Sequence, residues 1–122
     1  ERLRQRLPVG REDEAPGTNR IHAEDLARAA LAAMDRGIAG RAYNISDGHP
    51  TTMSDYFVRC ARLLQLPEPP RVTMLEARGQ LTPAMLSFLE ESKRLVNMRM
   101  LDELGVHLRY PDLAQGLPAC LP

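Results

Sequence analysis

The chain is poor in the residues that usually anchor a core. It has no Trp, two Phe and three Tyr among 122 residues, so a core must be aliphatic, built from Leu, Val, Ile, Ala and Met. Two cysteines, Cys60 and Cys120, fit neither a metal spacing nor a disulfide framework, and a reduced, cytoplasmic setting is the expectation. No apolar run reaches the length of a membrane span, and no signal-peptide pattern is present. Charge of one sign is also missing. Sixteen Lys and Arg balance sixteen Asp and Glu, which removes the electrostatic case for nucleic acid or an anionic membrane. Lysine itself is nearly absent: Lys93 is the single one, and the other cations are Arg. Arginine dominance fits either anion recognition by the guanidinium fork or a GC-rich coding sequence.

What is present is a hydrophobic content of 43% and a charged content of 26%, an ordinary globular mixture at a length that predicts one domain or a piece of one. The opening "ERLRQRL" reads like the middle of a basic helix, and the expectation is an excised or processed piece. Residues 8–19 are rich in Pro, Gly and acid and read as loop. "NRIH" reads as a short strand. Ala23 to Arg36 reads as a helix, with Leu26, Ala30, Ala33 and Met34 as its core stripe. Glu24 and Asp25 fall in its first turn, and Gly37 follows its end. "RAYNIS", Arg41 to Ser46, reads as a strand. The next helix is expected from Met53 to Leu66, started by Thr52 and Asp55, with Tyr56, Phe57, Cys60 and Leu64 as the buried stripe.

Further on, "RVTM" reads as a short strand and Arg78-Gly79 as a flexible stretch. Thr82-Pro83 starts a helix to Glu90. Asn97 caps a short helix from Met98 to Leu104 that Gly105 closes. "VHLRY" alternates like a half-buried strand, and Pro111 opens a last helical turn ending at Gly116. The order of elements is that of an α/β or α+β chain, helix-rich with several short strands.

Chemistry-bearing motifs are scarce. His22, Glu24 and Asp25 are suitable metal-ligand types, but the other two histidines lie in unrelated contexts, and helix-start anions beside a histidine are the favoured reading. There is no G-x-G-x-x-G or G-x-x-x-x-G-K loop, no nucleophile-elbow Ser, and no Tyr with a Lys four residues later. Arg78, Lys93 and Arg94 form a cationic set that could grip a diphosphate, or simply face water.

Three segments together resemble the C-terminal part of the extended short-chain dehydrogenase/reductases, the NAD(P)-dependent sugar epimerase/dehydratase family. They are the I-H-x-x-D-L-A run at Ile21 to Ala27, the Y-N-I strand at Tyr43 to Ile45 with its G-x-P-x-T turn, and the S-K-R run ending at Leu104-Gly105. The resemblance covers about residues 1–117 and is closest to an atypical bacterial subgroup. It implies the substrate-side, C-terminal portion of a Rossmann-like NAD(P)-binding fold. Residues 1–50 would hold a junction helix and the last main strand, and residues 51–122 a small substrate-binding lobe. It puts His22 and Asp25 at the junction of cofactor and substrate halves, and Arg78, Lys93 and Arg94 against a sugar-like substrate.

The family's Gly-rich loop and Tyr-x-x-x-Lys pair lie upstream of every matching residue. The resemblance therefore implies no catalytic residue in this chain, and the residues themselves favour no metal site. NAD or NADP would be bound by a missing N-terminal half and not by the chain alone. The chain keeps Arg78 but reads R-G-Q where sugar-nucleotide members carry R-x-G-D. The parent is expected to be an epimerase, dehydratase or reductase, and an alternative is a non-catalytic NAD(P)-sensing or scaffold protein of the same fold. An uncovered edge at "RAYNIS" predicts a homodimer of the isolated chain.

Overall fold

A computed structural model describes residues 1–121. Its elements are β1 (Val9–Gly10), β2 (Gly17–Thr18), α1 (Ala23–Arg36), β3 (Thr51–Thr52), α2 (Met53–Leu63), β4 (Arg71–Val72), α3 (Met74–Gln80), α4 (Pro83–Glu90), α5 (Met98–Leu104) and α6 (Leu113–Ala119). The fold is a helix-rich α/β arrangement with two small sheets: β1 pairs in parallel with β4, and β2 antiparallel with β3. No described helix is long and apolar enough to cross a membrane.

The chain forms two compact units. The first holds residues 1–18 and 51–93, and the second holds residues 19–50 and 94–121 of those described. The first unit contains both sheets with α2, α3 and α4. Its core closes on Ala77, Leu81 and Leu89, with Met53, Val72, Met74, Met85 and Leu86 around them. The acidic loop after β1 is put to use as helix capping. Glu12 accepts from Thr52 Oγ1 at 2.7 Å at the start of α2, and Glu14 accepts from Met74 N–H at 2.9 Å at the start of α3. Both carboxylates sit where the helix macrodipole favours negative charge.

The second unit is built on α1 against α5. Ala29 and Ala32 meet Met100 and Leu104, with Val106 completing the buried cluster. Arg36 donates from Nε to Leu104 O at 2.7 Å, binding the end of α1 to the end of α5. Gly105 takes the left-handed conformation, φ 61°, that ends α5.

Several expectations hold. Helix α1 spans Ala23–Arg36, α4 spans Pro83–Glu90 and α5 spans Met98–Leu104, each with the predicted bounds. Others are corrected. Helix α2 ends at Leu63, because Gln65 turns left-handed at φ 54°. The stretch around Arg78 is helical: Thr73 and Glu76 form a reciprocal capping box that starts α3. The loop at 8–19 contributes β1 and β2, whereas "NRIH", "RAYNIS" and "VHLRY" enter no ladder. Helix α6 runs through Gly116 to Ala119.

The buried faces of α1 and α2 also differ from expectation. In α1 the buried residues are Asp25, Ala29 and Ala32, while Leu26 is 48%, Leu31 67% and Met34 86% exposed. In α2 they are Ser54, Val58 and Ala61, and Tyr56, Phe57 and Cys60 are only half-buried. Each helix has two apolar faces, and the one with small residues is the one that approaches its neighbours.

That assignment is testable. Ala29→Leu should cost about 1–3 kcal/mol, because the site is filled and larger groups force strain. Met34→Lys should change stability by less than about 0.5 kcal/mol. Urea denaturation of both variants measures this, and the reverse order of effects would return the core to the large-residue stripe.

Candidate functional site

Among the described residues, the second unit holds four of the five buried polar side chains: Asp25 at the start of α1, and Ser46, Asp47 and Asn97. His22 precedes the helix with extended backbone, and its Nδ1 accepts from Glu24 N–H at 3.2 Å. In the neutral ring, that acceptor role puts the proton on Nε2. The ring lies 4.0 Å from the Tyr110 ring. Asp25 is fully buried, and its two oxygens accept from the N–H groups of Arg109 (2.9 Å) and Tyr110 (2.8 Å). Arg109 also pairs with Glu24 at 3.2 Å.

Residues 106–110 thus alternate buried and exposed like a strand, but Asp25 takes two of their amides in place of a neighbouring strand. A carboxylate engaged by two amides and closed to water acts as a staple.

A second group of polar residues follows the extended segment Arg41–Ser46. The turn Ser46-Asp47-Gly48-His49 needs Gly48 at φ 81°. Asn97 Nδ2 donates to Ser46 O at 2.9 Å, and a Cβ on Gly48 would lie 2.8 Å from that amide. This use of Asn97 is a correction: its side chain makes no cap bond to α5 and holds the turn instead. Asp47 is buried and accepts from His49 N–H at 2.8 Å. Burial raises its carboxyl above the usual aspartate range, with His49 and Arg20 partly opposing the shift. His49 Nδ1 lies 2.7 Å from Pro111 O and 3.2 Å from Asp47 O. Between two carbonyls Nδ1 must donate, which leaves Nε2 as the ring's acceptor in the neutral form. Ser46 Oγ is buried without a hydrogen-bond partner among the described residues.

The cationic candidates are distributed differently. Arg78 belongs to the first unit and meets Glu90 at 3.4 Å across α3 and α4, with both side chains exposed. Lys93 pairs with Glu91 in the same unit. Arg94 falls in the second unit, is exposed, and forms no ion pair among the described residues. His22 and Asp25 are brought together with Tyr110 and Arg109, which sequence reasoning missed, as it missed Ser46, Asp47, His49 and Asn97. The turn signal in "SDGHP" was visible; the 84-residue separation of Arg109 from Asp25 carries no local signal. Among the described residues, no three His, Cys, Asp or Glu side chains converge as a metal site.

Two variants test these roles. Asp25→Asn should destabilise the chain by about 1–3 kcal/mol, since an amide offers one acceptor oxygen and sets N–H against N–H. Unchanged thermal stability would remove the staple. Asp47→Asn keeps the oxygen for His49 N–H and removes the desolvated charge. A folded-state carboxyl raised above its unfolded value makes the native protein lose stability as pH rises through and above the ordinary carboxyl range. The variant should therefore gain on the wild type between about pH 4 and neutrality, measured by melting temperature against pH. A gap that does not widen over that range would contradict the burial of the charge.

No protein-family model matches the chain, and no curated protein matches it. Among solved structures, the chain is similar to a functionally unknown conserved protein from Silicibacter pomeroyi DSS, with 38% sequence identity and a TM-score of 0.79. The likeness covers 93% of this chain and 38% of that one, so the chain spans well under half of the solved protein's length.

Proposed function

We propose that this chain is the substrate-side, C-terminal portion of a longer Rossmann-like protein of the NAD(P)-dependent epimerase/dehydratase type, working in the cytoplasm on a sugar-like substrate. The observation that carries this reading is the segment Ala42–Ile45. Its side chains alternate outward and inward, with Tyr43 and Ile45 packed on the α1–α5 core. Its main-chain N–H groups donate to nothing among the described residues. A half-buried, extended segment with free amides is a strand without its sheet.

The outer face of α1 supports the same reading. Leu26, Leu31 and Met34 are exposed on a helix whose other face is already buried, as expected of a helix that also covers a sheet. The depression along it is lined only by α1 residues, Arg28, Leu31, Ala32, Asp35 and Arg36, with no second wall to hold a small ligand. The solved relative is longer than this chain, which leaves room for a dinucleotide-binding half. In that half NAD or NADP would supply hydride chemistry. Here His22 and Asp25 would shape the junction, and Arg78, Lys93 and Arg94 would contact substrate anions.

The test compares this chain with the longer polypeptide that contains it. Met34→Asp should leave the melting temperature of the chain unchanged and lower that of the longer protein by several degrees, as a charge placed in a covered apolar face does. The longer protein should enhance NADPH fluorescence, and the chain alone should not. Equal effects of Met34→Asp in both, with no NADPH binding by either, would sink the proposal. NADPH binding without turnover would favour the sensor form of the same fold. The open edge should also make the isolated chain dimerise, which a light-scattering mass of one chain at micromolar concentration would contradict.

A further inference from the structure

We propose that the groove between residues 1–4 and α2 binds a small amphipathic carboxylate, with its apolar body on the α2 stripe and its carboxylate at Arg2 and Arg4. The groove belongs to the first unit and encloses about 420 Å³, within the range of small-molecule sites. One wall is Glu1–Arg4. The other is Tyr56, Phe57, Cys60 and Leu64 of α2 and its end, with Leu66. The core of this unit does not need that stripe, because α2 turns Ser54, Val58 and Ala61 inward. Leu64 remains 49% exposed. An apolar floor with a second wall opposite it is a place for a ligand's hydrocarbon.

The cations decide the class of ligand. The Arg2 guanidinium carbon lies 4.7 Å from the Phe57 ring centroid, and one of its terminal nitrogens donates to Pro8 O at 3.3 Å. Its Nε is buried and has no hydrogen-bond partner among the described residues. A buried N–H without an acceptor is costly, and an acceptor that reaches it after a small shift of the guanidinium removes the cost. Burial also lowers the basicity of this guanidinium, which an anion beside it would restore. Arg4 adds a second fork and forms no ion pair among the described residues. Glu1, on the same wall, is engaged by Gln5 Nε2 at 2.7 Å. A planar monoanion matches guanidinium donors with two oxygens. It also sheds less hydration against an apolar floor than a phosphate dianion does. This site makes no use of a nicotinamide and stands apart from the reading of the chain as a substrate-side portion.

The test is a titration of the full, ¹⁵N-labelled chain with 4-phenylbutyrate, its uncharged counterpart 4-phenylbutanol, and inorganic phosphate. The expected result is saturable shifts at Arg2, Arg4, Tyr56, Phe57 and Leu64, with the acid at least tenfold tighter than the alcohol. Arg4→Ala and Arg2→Gln should each bring the acid toward the alcohol's affinity. Leu64→Trp, which fills the floor, should weaken both. Unchanged amide dispersion in the remainder of the spectrum shows that each variant is folded, and Arg4 is exposed enough to serve if the Arg2 variant is not. Equal binding of acid and alcohol, phosphate shifting the same amides as strongly as the acid, or no saturable shift would each overturn the proposal.

Discussion

Asp25 is the point on which the second unit turns. It is buried, it carries two oxygens, and both are spent on consecutive amides 84 and 85 residues away in sequence. A buried carboxylate is tolerated only when its acceptors are filled, so the position of Arg109 and Tyr110 is fixed once α1 forms. From that point the geometry propagates. One turn on, Ala29 and then Ala32 lie on the same face and admit Met100 and Leu104 at close range. At the far end Arg36 reaches Leu104 O. Helix α1 is thus pinned at both ends by polar groups and closed in the middle by the absence of side-chain bulk.

The same logic explains what could be read in advance. The bounds of α1, α4 and α5 were legible because caps and breakers are local: acids in a first turn, Thr before Pro, Gly after Leu104. The buried faces were not. Large apolar residues dominate a periodicity count, so Leu26 and Met34 outweighed Ala29 and Ala32, and Tyr56 and Phe57 outweighed Ser54 and Ala61. Yet backbones approach where side chains are small, as Ala29 and Ala61 at 0% exposure show. Helix α3 was missed although Thr73 and Glu76 spell its capping box, because Gly79 inside it reads as a breaker. In the candidate site, His22 and Asp25 were recognisable as helix-start residues. The partners that define them, and the Asn97 amide that holds Gly48, are set by nonlocal contacts that leave no spacing to read.

The cations of the first unit fall into two kinds. Arg78 and Lys93 face Glu90 and Glu91 with their side chains exposed. Ion pairs of that kind contribute about 0–1 kcal/mol. Such exposed pairs orient the two side chains at little net gain or loss in stability. Arg2 is the opposite case. Its guanidinium is held by a ring and a carbonyl, and among the described residues its Nε lacks an acceptor and no carboxylate shares it.

The two apolar stripes left outside the cores therefore differ in what they can hold. A stripe on a helix with no facing wall contacts a ligand on one side only. Dispersion and water exclusion there stay small unless the partner is broad and comparably flat. The α1 stripe is of this type, and it accompanies an extended segment whose amides donate to nothing among the described residues. The α2 stripe faces the first turn of the chain across a bounded volume. There a small molecule is enclosed from two sides and meets a guanidinium at one end. Shape rather than hydrophobicity separates the two surfaces: one geometry suits a protein layer, the other a compact anion with an apolar tail.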